Sequence, residues 1–582
     1  MRFPSLSHLL DRARAALRRF PWTLLAGTVA AAAAIAASNA SGAAEDRWAR
    51  IALVAALGLP LTVGLGLLAE VRRWRPTATA AAQLAGGVAL AGFFAAWPGV
   101  QAPHHAIRYV QLSAVLHLAV SFLPFMGAGE TPAFWQYNRR LFLGFLRSAV
   151  FSGVLFVGVA IALAALDKLF GVHIGEHTYF QLWAILAFVV NTWIFLDSVP
   201  ADLRALPAEA EYPRALKLFA QYVLTPLSFT YLVILLAYLV KILLGGEWPS
   251  GWIGWLVASV SVTGLLGFLL VHPLRRDPAE GWIRIYSRWL FVGLVPAALM
   301  LLVAFWKRIE PYGLTEPRAL GVALGIWLLG IALWYAARRD AGIRTIPVTL
   351  AAVLLITLWG PLGLTQLAVA SQGRRLARTL AAGDDAEASA ALRFLLDRRA
   401  GAAIAAGIGR ELPPVAWDTV PRHGEQRDSL ATRIMVVAGK RYVPQWSHVP
   451  EDGPFSIGGG SGAPLAVAGY AWAVPISRED TSPRLVGADS VAVLPSADDG
   501  VARIRIGVDT LSFDLARLAR RHAEAAAVPT GGVGERLVLT PDGGSRRAVL
   551  ALGRLSGERR EAEVRVTHWS GWLLLEGNTT GR

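Results

Sequence analysis

The sequence predicts a membrane α-helical bundle followed by a soluble α+β domain whose strands are mainly antiparallel. Three observations lead to this class. Of the 582 residues 54% are hydrophobic and 17% are charged, whereas a soluble protein carries nearer ~25% charged residues. Apolar stretches of about twenty residues, long enough to cross a hydrocarbon core, recur between Pro21 and Ala370. After Ser371 no stretch of that length occurs, and charged residues become frequent.

Three regions follow from this pattern. Residues 1–20 contain "SLSHLLDRARAALRRF", which predicts a basic amphipathic helix lying on the membrane surface. Residues 21–370 form the polytopic transmembrane domain, and residues 371–582 form the soluble domain. The charged N-terminal segment is long and no soluble domain follows the first apolar stretch, so we expect a retained first span rather than a cleaved signal peptide.

We predict about eleven transmembrane helices in residues 21–370. Their expected bounds are 21–39, 50–70, 78–97, 109–127, 148–169, 179–198, 219–243, 251–272, 288–306, 319–337 and 345–368. "WGP", residues 359–361, lies inside the last of these and is expected to kink it.

The distribution of Lys and Arg predicts the orientation. Alternate loops, beginning with the N-terminus, hold 21 of these residues, and the opposite loops hold 8, or 11 when Arg374, Arg375 and Arg378 are included. The positive-inside rule therefore puts the N-terminus in the cytoplasm of a bacterial inner membrane. An odd number of spans puts the C-terminal domain outside the cytoplasm, in the periplasm of a cell with two membranes.

Charge and cysteine content exclude several classes. The net charge is +15, but the arginines cluster at the ends of apolar stretches, which is typical of membrane orientation and not of nucleic-acid binding. The chain has no Cys, which excludes disulfides and thiolate chemistry. The lipid bilayer is the expected environment, with an envelope protein or a lipid as a further partner; the sequence leaves the oligomeric state open.

Polar residues within apolar stretches are the first candidates for function, because they are costly in a membrane. His117 and Asn191 are the deepest, and Asp197 lies nearer the cytoplasmic end of the same predicted helix as Asn191. A spacing of six residues turns a helix by about 600°, so Asn191 and Asp197 do not share a face. Hydrogen bonding between helices is the alternative explanation for each of them.

Further candidates lie at the ends of spans. "FWQYNRRLFLGFLR", residues 134–147, combines aromatic residues with Asn138 and Arg139, which predicts a membrane-interface belt or a polar vestibule. Glu247, Glu310 and Glu316 lie in predicted external loops. No catalytic, cofactor-binding or metal site is predicted, because the adjacent His104 and His105 have no further ligand near them in sequence.

The soluble region divides into a helical part, 371–409, and a β-rich part, 431–582. Two helices are predicted in the first part, broken at "GDD", with Asp384 or Asp385 capping the second. The β-rich part contains short alternating segments between turn residues, which predict antiparallel strands. They are "TRIMVVAG", "APLAVAGYAWAVPI", "DSVAVLP", "ARIRIGV", "RLVLTP", "RAVLALGRL", "AEVRVTHW" and "GWLLLEG", with a helix expected at 511–526.

Several of these stretches resemble a known family. They are "FWQYNRRLFLGFL", "LAALDKLFGV", "YPRALKLFAQYVLTPL", "LAYLVKILLGGEWPSGW", "HPLRRDPAEGWIRIYSRW", "EPYGLTEPRAL" and "RTIPVTLAAVLL". Over about residues 130–370 the chain resembles bacterial polytopic inner-membrane proteins that share a large domain of unknown function. The resemblance implies a multi-span membrane region followed by a soluble portion, and it supplies no activity, substrate or catalytic residues.

Three functions are compatible with this organisation. The first is a non-enzymatic envelope protein whose membrane bundle anchors an extracytoplasmic binding domain. The second is a transporter or channel, for which a water-filled cavity reaching His117 is expected. The third is a membrane-embedded enzyme acting on lipid or glycan carriers, for which a lateral cleft lined by Glu247, Glu310 or Glu316 is expected.

Overall fold

The chain forms two compact units, Met1–Ser371 and Gln372–Arg582. The computed structural model describes residues 6–126, 132–203, 212–245, 252–338, 341–412, 414–415, 417, 425–444, 453–458, 467–487, 489–495, 500–525, 537–541, 548–560 and 563–576. Where it is described, the first unit is helical, whereas the second combines helices with two antiparallel sheets.

A basic helix, α1 Leu6–Arg19, begins the first unit. Ala16 and the adjoining Phe20 are buried, while Arg12 and Arg18 are exposed. This division between an apolar and a basic side agrees with the amphipathic pattern in the sequence. Arg19 binds the Glu70 carboxylate through two hydrogen bonds of 2.8 Å, one from Nε and one from Nη2, so the end of α1 is fixed to the bundle.

Ten helices in the described part of the first unit are long and apolar enough to cross a membrane. They are α2 Pro21–Ser38, α3 Ala43–Arg72, α4 Pro76–Ala96, α5 Pro103–Phe122, α6 Pro132–Phe170, α7 Glu176–Asp197, α8 Arg214–Gly245, α9 Trp252–Val271, α10 Gly281–Tyr312 and α11 Glu316–Ala337. The first ten predicted spans all coincide with these helices, which confirms the helical membrane bundle.

The eleventh predicted span, 345–368, is interrupted. α12 Thr345–Ile356 has 12 residues, so it is about 18 Å long and shorter than a hydrocarbon core of ~30 Å. The chain then turns at Gly360, whose φ of +77° favours glycine because a Cβ would be strained there. The next helix, α13 Leu364–Ala382, contains the boundary between the two units.

Two of the described helices contain a π-helical turn, at Leu186–Val190 in α7 and at Phe219–Leu224 in α8. Near the first, a Cβ on Gly27 of α2 would lie 2.4 Å from the carbonyl oxygen of Phe188. Glycine is therefore required for the close approach of α2 to α7. The second turn lies beside the candidate functional site, as π-helical turns frequently do.

Contacts between helix ends define two ends of the bundle. At one end, called the α1 end, Arg344 before α12 donates a 2.7 Å hydrogen bond to the carbonyl of Phe125 after α5. At the opposite end, called the far end, Gln181 of α7 donates a 3.1 Å hydrogen bond to Asn39 after α2. The spanning helices run alternately between these two ends.

The second unit begins with a helical layer of α14 Asp385–Asp397, α15 Gly401–Ile408 and α16 Glu425–Val437. Asp384 caps α14, as predicted, because its carboxylate accepts a 3.0 Å hydrogen bond from the Glu387 amide. The strand predicted from "TRIMVVAG" was wrong. Most of this segment is the end of α16, where Ile434 and Met435 are fully buried; a short apolar run fits a buried helix as well as a strand.

Nine strands in the described residues form two antiparallel sheets. They are β1 Gly453–Gly458, β2 Trp472–Ser477, β3 Arg484–Val486, β4 Asp489–Val493, β5 Val501–Ile506, β6 Asp509–Asp514, β7 Leu537–Leu539, β8 Ala548–Arg560 and β9 Glu563–Leu575. One sheet has the order β1-β8-β9-β2, with β7 also pairing with β8, and the other has the order β3-β4-β5-β6. The predicted antiparallel C-terminal region is thus confirmed.

The helix predicted at 511–526 begins later than expected. Residues 511–514 belong to β6, where Leu511 and Phe513 are buried and pair with Ile504 and Ala502 of β5. The helix itself, α17, is Leu515–Ala525. Pairing with the preceding strand, β5, in a tight hairpin therefore determined the conformation of the first four residues.

Candidate functional site

A groove of about 720 Å³ lies between α8 and α10. Its walls are mainly apolar and include Phe229, Val233, Leu236, Ile285, Trp289 and Val292. Phe229, Ile285 and Trp289 are each more than half exposed, so the groove opens sideways on the outer surface of the bundle. A groove of this size and composition fits an apolar chain.

A polar pocket of about 310 Å³ adjoins the groove, and Gln221 and Trp282 line both cavities. The carboxylate of Glu280 is the centre of the pocket. Its Oε1 lies 2.6 Å from Lys217 Nζ. Its Oε2 accepts hydrogen bonds from Gln221 Nε2 at 3.0 Å and from Trp282 Nε1 at 2.9 Å. Both carboxylate oxygens are thus engaged, which favours the ionised form.

The π-helical turn of α8 shapes the boundary between groove and pocket. Gln221 lies within this turn, and Thr225 donates a 2.7 Å hydrogen bond to the carbonyl of Ala220 five residues earlier. One turn further along, the hydroxyls of Ser228 and Tyr286 are 2.7 Å apart and join α8 to α10. The wide turn therefore keeps its backbone hydrogen-bonded while it presents a polar side chain to both cavities.

The pocket carries an excess of positive charge. Lys217 is paired with Glu280, whereas Arg214 is exposed and forms no ion pair with any residue that the structure describes. Arg214, Lys217 and Gln221 lie at positions i, i+3 and i+7 of α8, so they share one side of the helix. An apolar groove that ends in a cationic pocket is complementary to an anionic amphiphile.

The polar residues predicted within the spans do not meet at one place. His117 is exposed on the outside of α5, where its Nδ1 lies 2.8 Å from the carbonyl of Ser113 in the same helix. Asn191 follows the π-helical turn of α7, and within the described part of the chain its buried Oδ1 has no hydrogen-bond partner. Asp197 lies at the α1 end and accepts hydrogen bonds from Arg12, the one from Nε at 2.8 Å.

The stretch "FWQYNRRLFLGFLR" is buried at its start and does not form an exposed aromatic belt. Trp135 and Tyr137 are 7% and 0% exposed. Asn138 donates a 2.9 Å hydrogen bond to the Phe134 carbonyl, and the Arg139 guanidinium lies 5.3 Å from the Trp135 ring centroid. Both contacts lie within α6, and Asn138 also donates a 3.3 Å hydrogen bond to the Ser121 carbonyl of α5. This stretch therefore belongs to the helix packing at the α1 end.

Tyr212, between α7 and α8, continues this packing. Its ring stacks on Trp135 with centroids 5.4 Å apart, and its hydroxyl donates a 2.9 Å hydrogen bond to the Leu270 carbonyl. Burial raises the pKa of the Tyr212 phenol to about 12, although the charge of Arg139 acts in the opposite direction. Tyr212 therefore stays neutral at physiological pH and acts as a hydrogen-bond donor.

The predicted acidic residues are separated. Glu247 lies outside the described residues. Glu310 is exposed near the end of α10, whereas Glu316 is 1% exposed at the start of α11, where it interacts with the charge of Arg108. Neither Glu310 nor Glu316 lines the groove or the pocket. The described residues contain no group of three or more His, Cys, Asp or Glu that could hold a metal ion.

The residues of the groove and the pocket were not predicted from the sequence. Lys217 and Glu280 occur at the ends of apolar stretches, where single charged residues are common and attract no attention. The signal that could have found them is the one-sided spacing of Arg214, Lys217 and Gln221 in "RALKLFAQ", together with the Trp two residues after Glu280 in "EGW".

Comparison with known proteins identifies the family of this chain. The domain of unknown function DUF4153 matches residues 15–402, about two thirds of the chain. The chain belongs to this family. The DUF4153 region contains all ten spanning helices, and with them the groove and the pocket.

One relative matches part of the chain. The chain is 23% identical over 212 residues to "Uncharacterized protein PM1469" of Pasteurella multocida (strain Pm70). The match covers 36% of this chain and 35% of that relative, so the chain spans about a third of the relative's length. No solved structure matches the chain.

Proposed function

We propose that this DUF4153 chain is a bacterial inner-membrane protein that binds an anionic glycerophospholipid between α8 and α10. The observation that carries the proposal is the continuity of the two cavities. The apolar groove suits acyl chains, and the adjoining pocket, reached past Gln221 and Trp282, suits a headgroup. Both volumes lie in the range of ~300–1,000 Å³ that small-molecule sites occupy.

The charges favour an anionic headgroup over a neutral one. Arg214 is available for a phosphate oxygen, and Lys217 carries further ammonium hydrogens beyond its contact with Glu280. Glu280 and Gln221 supply acceptors for hydroxyl groups on the headgroup. A phosphate with a polyol, as in phosphatidylglycerol, satisfies all of these groups.

The geometry favours binding over the two alternative functions. A lipid-modifying enzyme needs a group that can exchange a proton, whereas Glu280 is held by three donors and acts as a fixed acceptor. A transport path was expected to reach His117, which is exposed on the outside of α5 and lines neither cavity. We therefore propose a non-enzymatic role.

We propose further that the α1 end faces the cytoplasm and that the soluble region, 371–582, lies outside it. The excess of 21 over 8 Lys and Arg residues supports the first part. Three contacts support the second part. Thr357 accepts a hydrogen bond from Gln111, Trp359 contacts Phe93, and Ser371 accepts one from the Leu314 amide.

These contacts support the proposal that the segment crosses the membrane although α12 is short. The segment begins at the α1 end, where Arg344 contacts Phe125. Phe93 lies in the last turn of α4, and Leu314 lies between α10 and α11, both at the far end. α12 and the turn after it would thus complete the eleventh crossing. In that position the soluble region meets only envelope components, and we propose that it binds one of them.

The lipid proposal is tested by counting bound lipids with native mass spectrometry. Wild-type protein in detergent is titrated with phosphatidylglycerol and, separately, with phosphatidylcholine. We expect Arg214→Gln to weaken phosphatidylglycerol binding about fivefold, since a basic residue contributes ~1 kcal/mol of attraction to an anionic lipid. Val233→Trp fills the groove and should reduce the binding of both lipids.

Matched substitutions elsewhere on the bundle serve as controls. Arg284→Gln removes an exposed arginine of α10, and Val262→Trp enlarges a 66%-exposed side chain of α9; neither residue lines the groove or the pocket. Both controls should bind lipid like the wild type. Equal binding of the two lipids, unchanged by Arg214→Gln and Val233→Trp, would contradict the proposal.

The orientation is tested by cysteine labelling, which is clean because the chain has no Cys. One Cys replaces Ser429 and, in a separate variant, one replaces Thr77; both residues are exposed. Cells with a permeabilised outer barrier are treated with a membrane-impermeant maleimide. The proposal requires labelling at 429 and none at 77 until the inner membrane is broken. Protection of both positions would put the soluble region in the cytoplasm.

A further inference from the structure

A second cavity at the α1 end has the properties of an anion site. It has a volume of about 360 Å³ and lies where α1 meets α2 and where α3 meets α4. Its lining includes Arg18, Arg73, Trp22, Trp74 and Gln83, none of which lines the groove or the pocket between α8 and α10.

Two helices begin at this cavity without a side-chain cap. α2 starts at Pro21 and α4 at Pro76, and no side-chain hydrogen bond caps either N-terminus. The first backbone bonds of these helices are from Leu24 to Phe20 at 3.2 Å and from Thr79 to Arg75 at 3.0 Å. The backbone amides of the residues that precede Leu24 in α2 and Thr79 in α4 have no acceptor within their helix. The positive ends of both helix dipoles also favour an anion here.

The arginines add charge to these N-termini. Arg19 is neutralised by its two hydrogen bonds to Glu70. Arg18 and Arg73 are exposed, and neither forms an ion pair with another residue in the described parts of the chain. The cavity thus combines two unpaired guanidinium groups with two helix N-termini, which is the arrangement that binds phosphate oxygens.

Gln83 is an independent indication of a ligand in this cavity. Its side chain is 6% exposed and lines the cavity. Its Nε2 donates a 3.0 Å hydrogen bond to the carbonyl of Thr62, while its buried Oε1 has no hydrogen-bond partner among the residues that the structure describes. If the amide oxygen and nitrogen of Gln83 were exchanged, the oxygen would face the carbonyl oxygen of Thr62, and two acceptors cannot bond to each other. The unpaired atom is therefore the oxygen, which needs a hydrogen-bond donor.

We infer that this cavity binds a phosphate ester that also carries a hydroxyl or ammonium group. The phosphate would contact Arg18, Arg73 and the helix N-termini, and the hydroxyl or ammonium would donate to Gln83 Oε1 after a small rearrangement of the site. This ligand is either the headgroup of a membrane lipid or a free phosphate ester. Binding would hold α1 against α3 and α4.

The two sources are distinguished by two probes. Glycerol 3-phosphate represents the free ester, and phosphatidylglycerol in detergent micelles represents the lipid. The full-length protein is titrated with each probe, and the rise in its thermal unfolding temperature gives an affinity. A rise with one probe alone identifies the source, and a rise with both identifies the phosphate ester as the recognised group. Each of these results supports the inference when substitutions in this cavity reduce the rise, because phosphatidylglycerol bound between α8 and α10 would raise the unfolding temperature independently of them.

Two substitutions separate binding from folding. Arg73 has φ +53°, a left-handed conformation that glycine adopts freely, so Arg73→Gly should keep or raise stability without ligand. Gly66 lines the cavity, and a Cβ there would have no neighbour closer than 3.7 Å, so Gly66→Leu should fill the space without disrupting α3. Arg73→Gly should lose about tenfold or more in affinity, the loss expected for a charge-assisted hydrogen bond. Gly66→Leu should also lose affinity, because its side chain would occupy the space of the ligand.

Two further variants keep the test specific. Arg14→Gln removes a 70%-exposed arginine of α1 that does not line the cavity, and it should bind like the wild type. Arg214→Gln alters the pocket between α8 and α10 and should bind glycerol 3-phosphate like the wild type. The phosphatidylglycerol titrations are repeated with Val233→Trp, in which the groove is filled, so the two sites can fail separately. The inference is overturned if neither probe raises the unfolding temperature, or if Arg73→Gly and Gly66→Leu bind as tightly as the wild type.

Discussion

Asp197 joins three helices through one carboxylate. It lies at the end of α7, accepts two hydrogen bonds from Arg12 of α1, and lies 3.5 Å from Arg147 Nη2 of α6. We predict that Asp197→Asn loosens the N-terminal part of α1, while Arg19 and Glu70 still hold its C-terminal end. Because the Asp197 side chain is 25% exposed, the loss of stability should be small, about 1 kcal/mol or less, and local.

The loosening of α1 is measured by limited trypsin digestion. Cleavage after Arg14 and Arg18 should become faster in Asp197→Asn, while the thermal unfolding temperature changes little. Asp11→Asn is the control, because Asp11 pairs at 3.7 Å with Arg14 of the same helix and both side chains are about 70% exposed. Equal digestion rates for the wild type and Asp197→Asn would show that this ion pair does not hold α1.

Single residues also mark the limit of what the sequence could predict about the site. His117, Asn191 and Asp197 were found because each interrupts an apolar stretch. The partner of Asp197 was not found, since Arg12 and Asp197 are 185 positions apart in sequence. Glu280 was overlooked for the same reason, because its importance depends on Lys217 and Gln221 of another helix.

At the scale of helices, the contact of α2 with α7 depends on Gly27. A Cβ at this position would lie 2.4 Å from the backbone oxygen of Phe188, and a backbone atom cannot move away as a side chain can. We predict that Gly27→Ala lowers the free energy of unfolding by about 1–3 kcal/mol through overpacking. The unfolding temperature of the purified protein in detergent measures the effect.

Gly92→Ala in α4 provides a matched control. No atom lies within 4 Å of a Cβ built on Gly92, so alanine should raise helix stability there by up to ~1 kcal/mol. A Gly27→Ala protein as stable as Gly92→Ala would mean that α2 and α7 can separate without loss.

Helices and strands could be predicted where a short stretch of sequence is enough to determine them. A spanning helix is specified by a length of apolar sequence, and the first ten spans were therefore found. The three elements that differ from the prediction depend on one turn, on packing with other helices or on pairing within a hairpin. Gly360 interrupts the eleventh span, the helical layer buries Ile434 in α16, and pairing with β5 makes Phe513 part of a strand.

At the scale of the whole molecule, the second unit buries hydrophobic residues of its own in both its sheet region and its helical layer. Its sheet region buries a cluster that includes Ile504, Phe513, Leu555 and Leu573, each at most 1% exposed. Its helical layer buries Leu392 and Ile434 completely. A chain of this length buries about 70% of its surface on folding, which is sufficient for a stable domain.

We predict that the fragment Gln372–Arg582, expressed without the membrane region, unfolds in one cooperative thermal transition measured by circular dichroism. Phe513→Ala in this fragment should lower the free energy of unfolding by about 3–5 kcal/mol, because it leaves a cavity in the core. Val508→Ala, at a side chain that is 95% exposed, should leave it unchanged. A gradual transition that both substitutions leave unaltered would mean that the fragment lacks this core, and that the second unit requires the membrane bundle to fold.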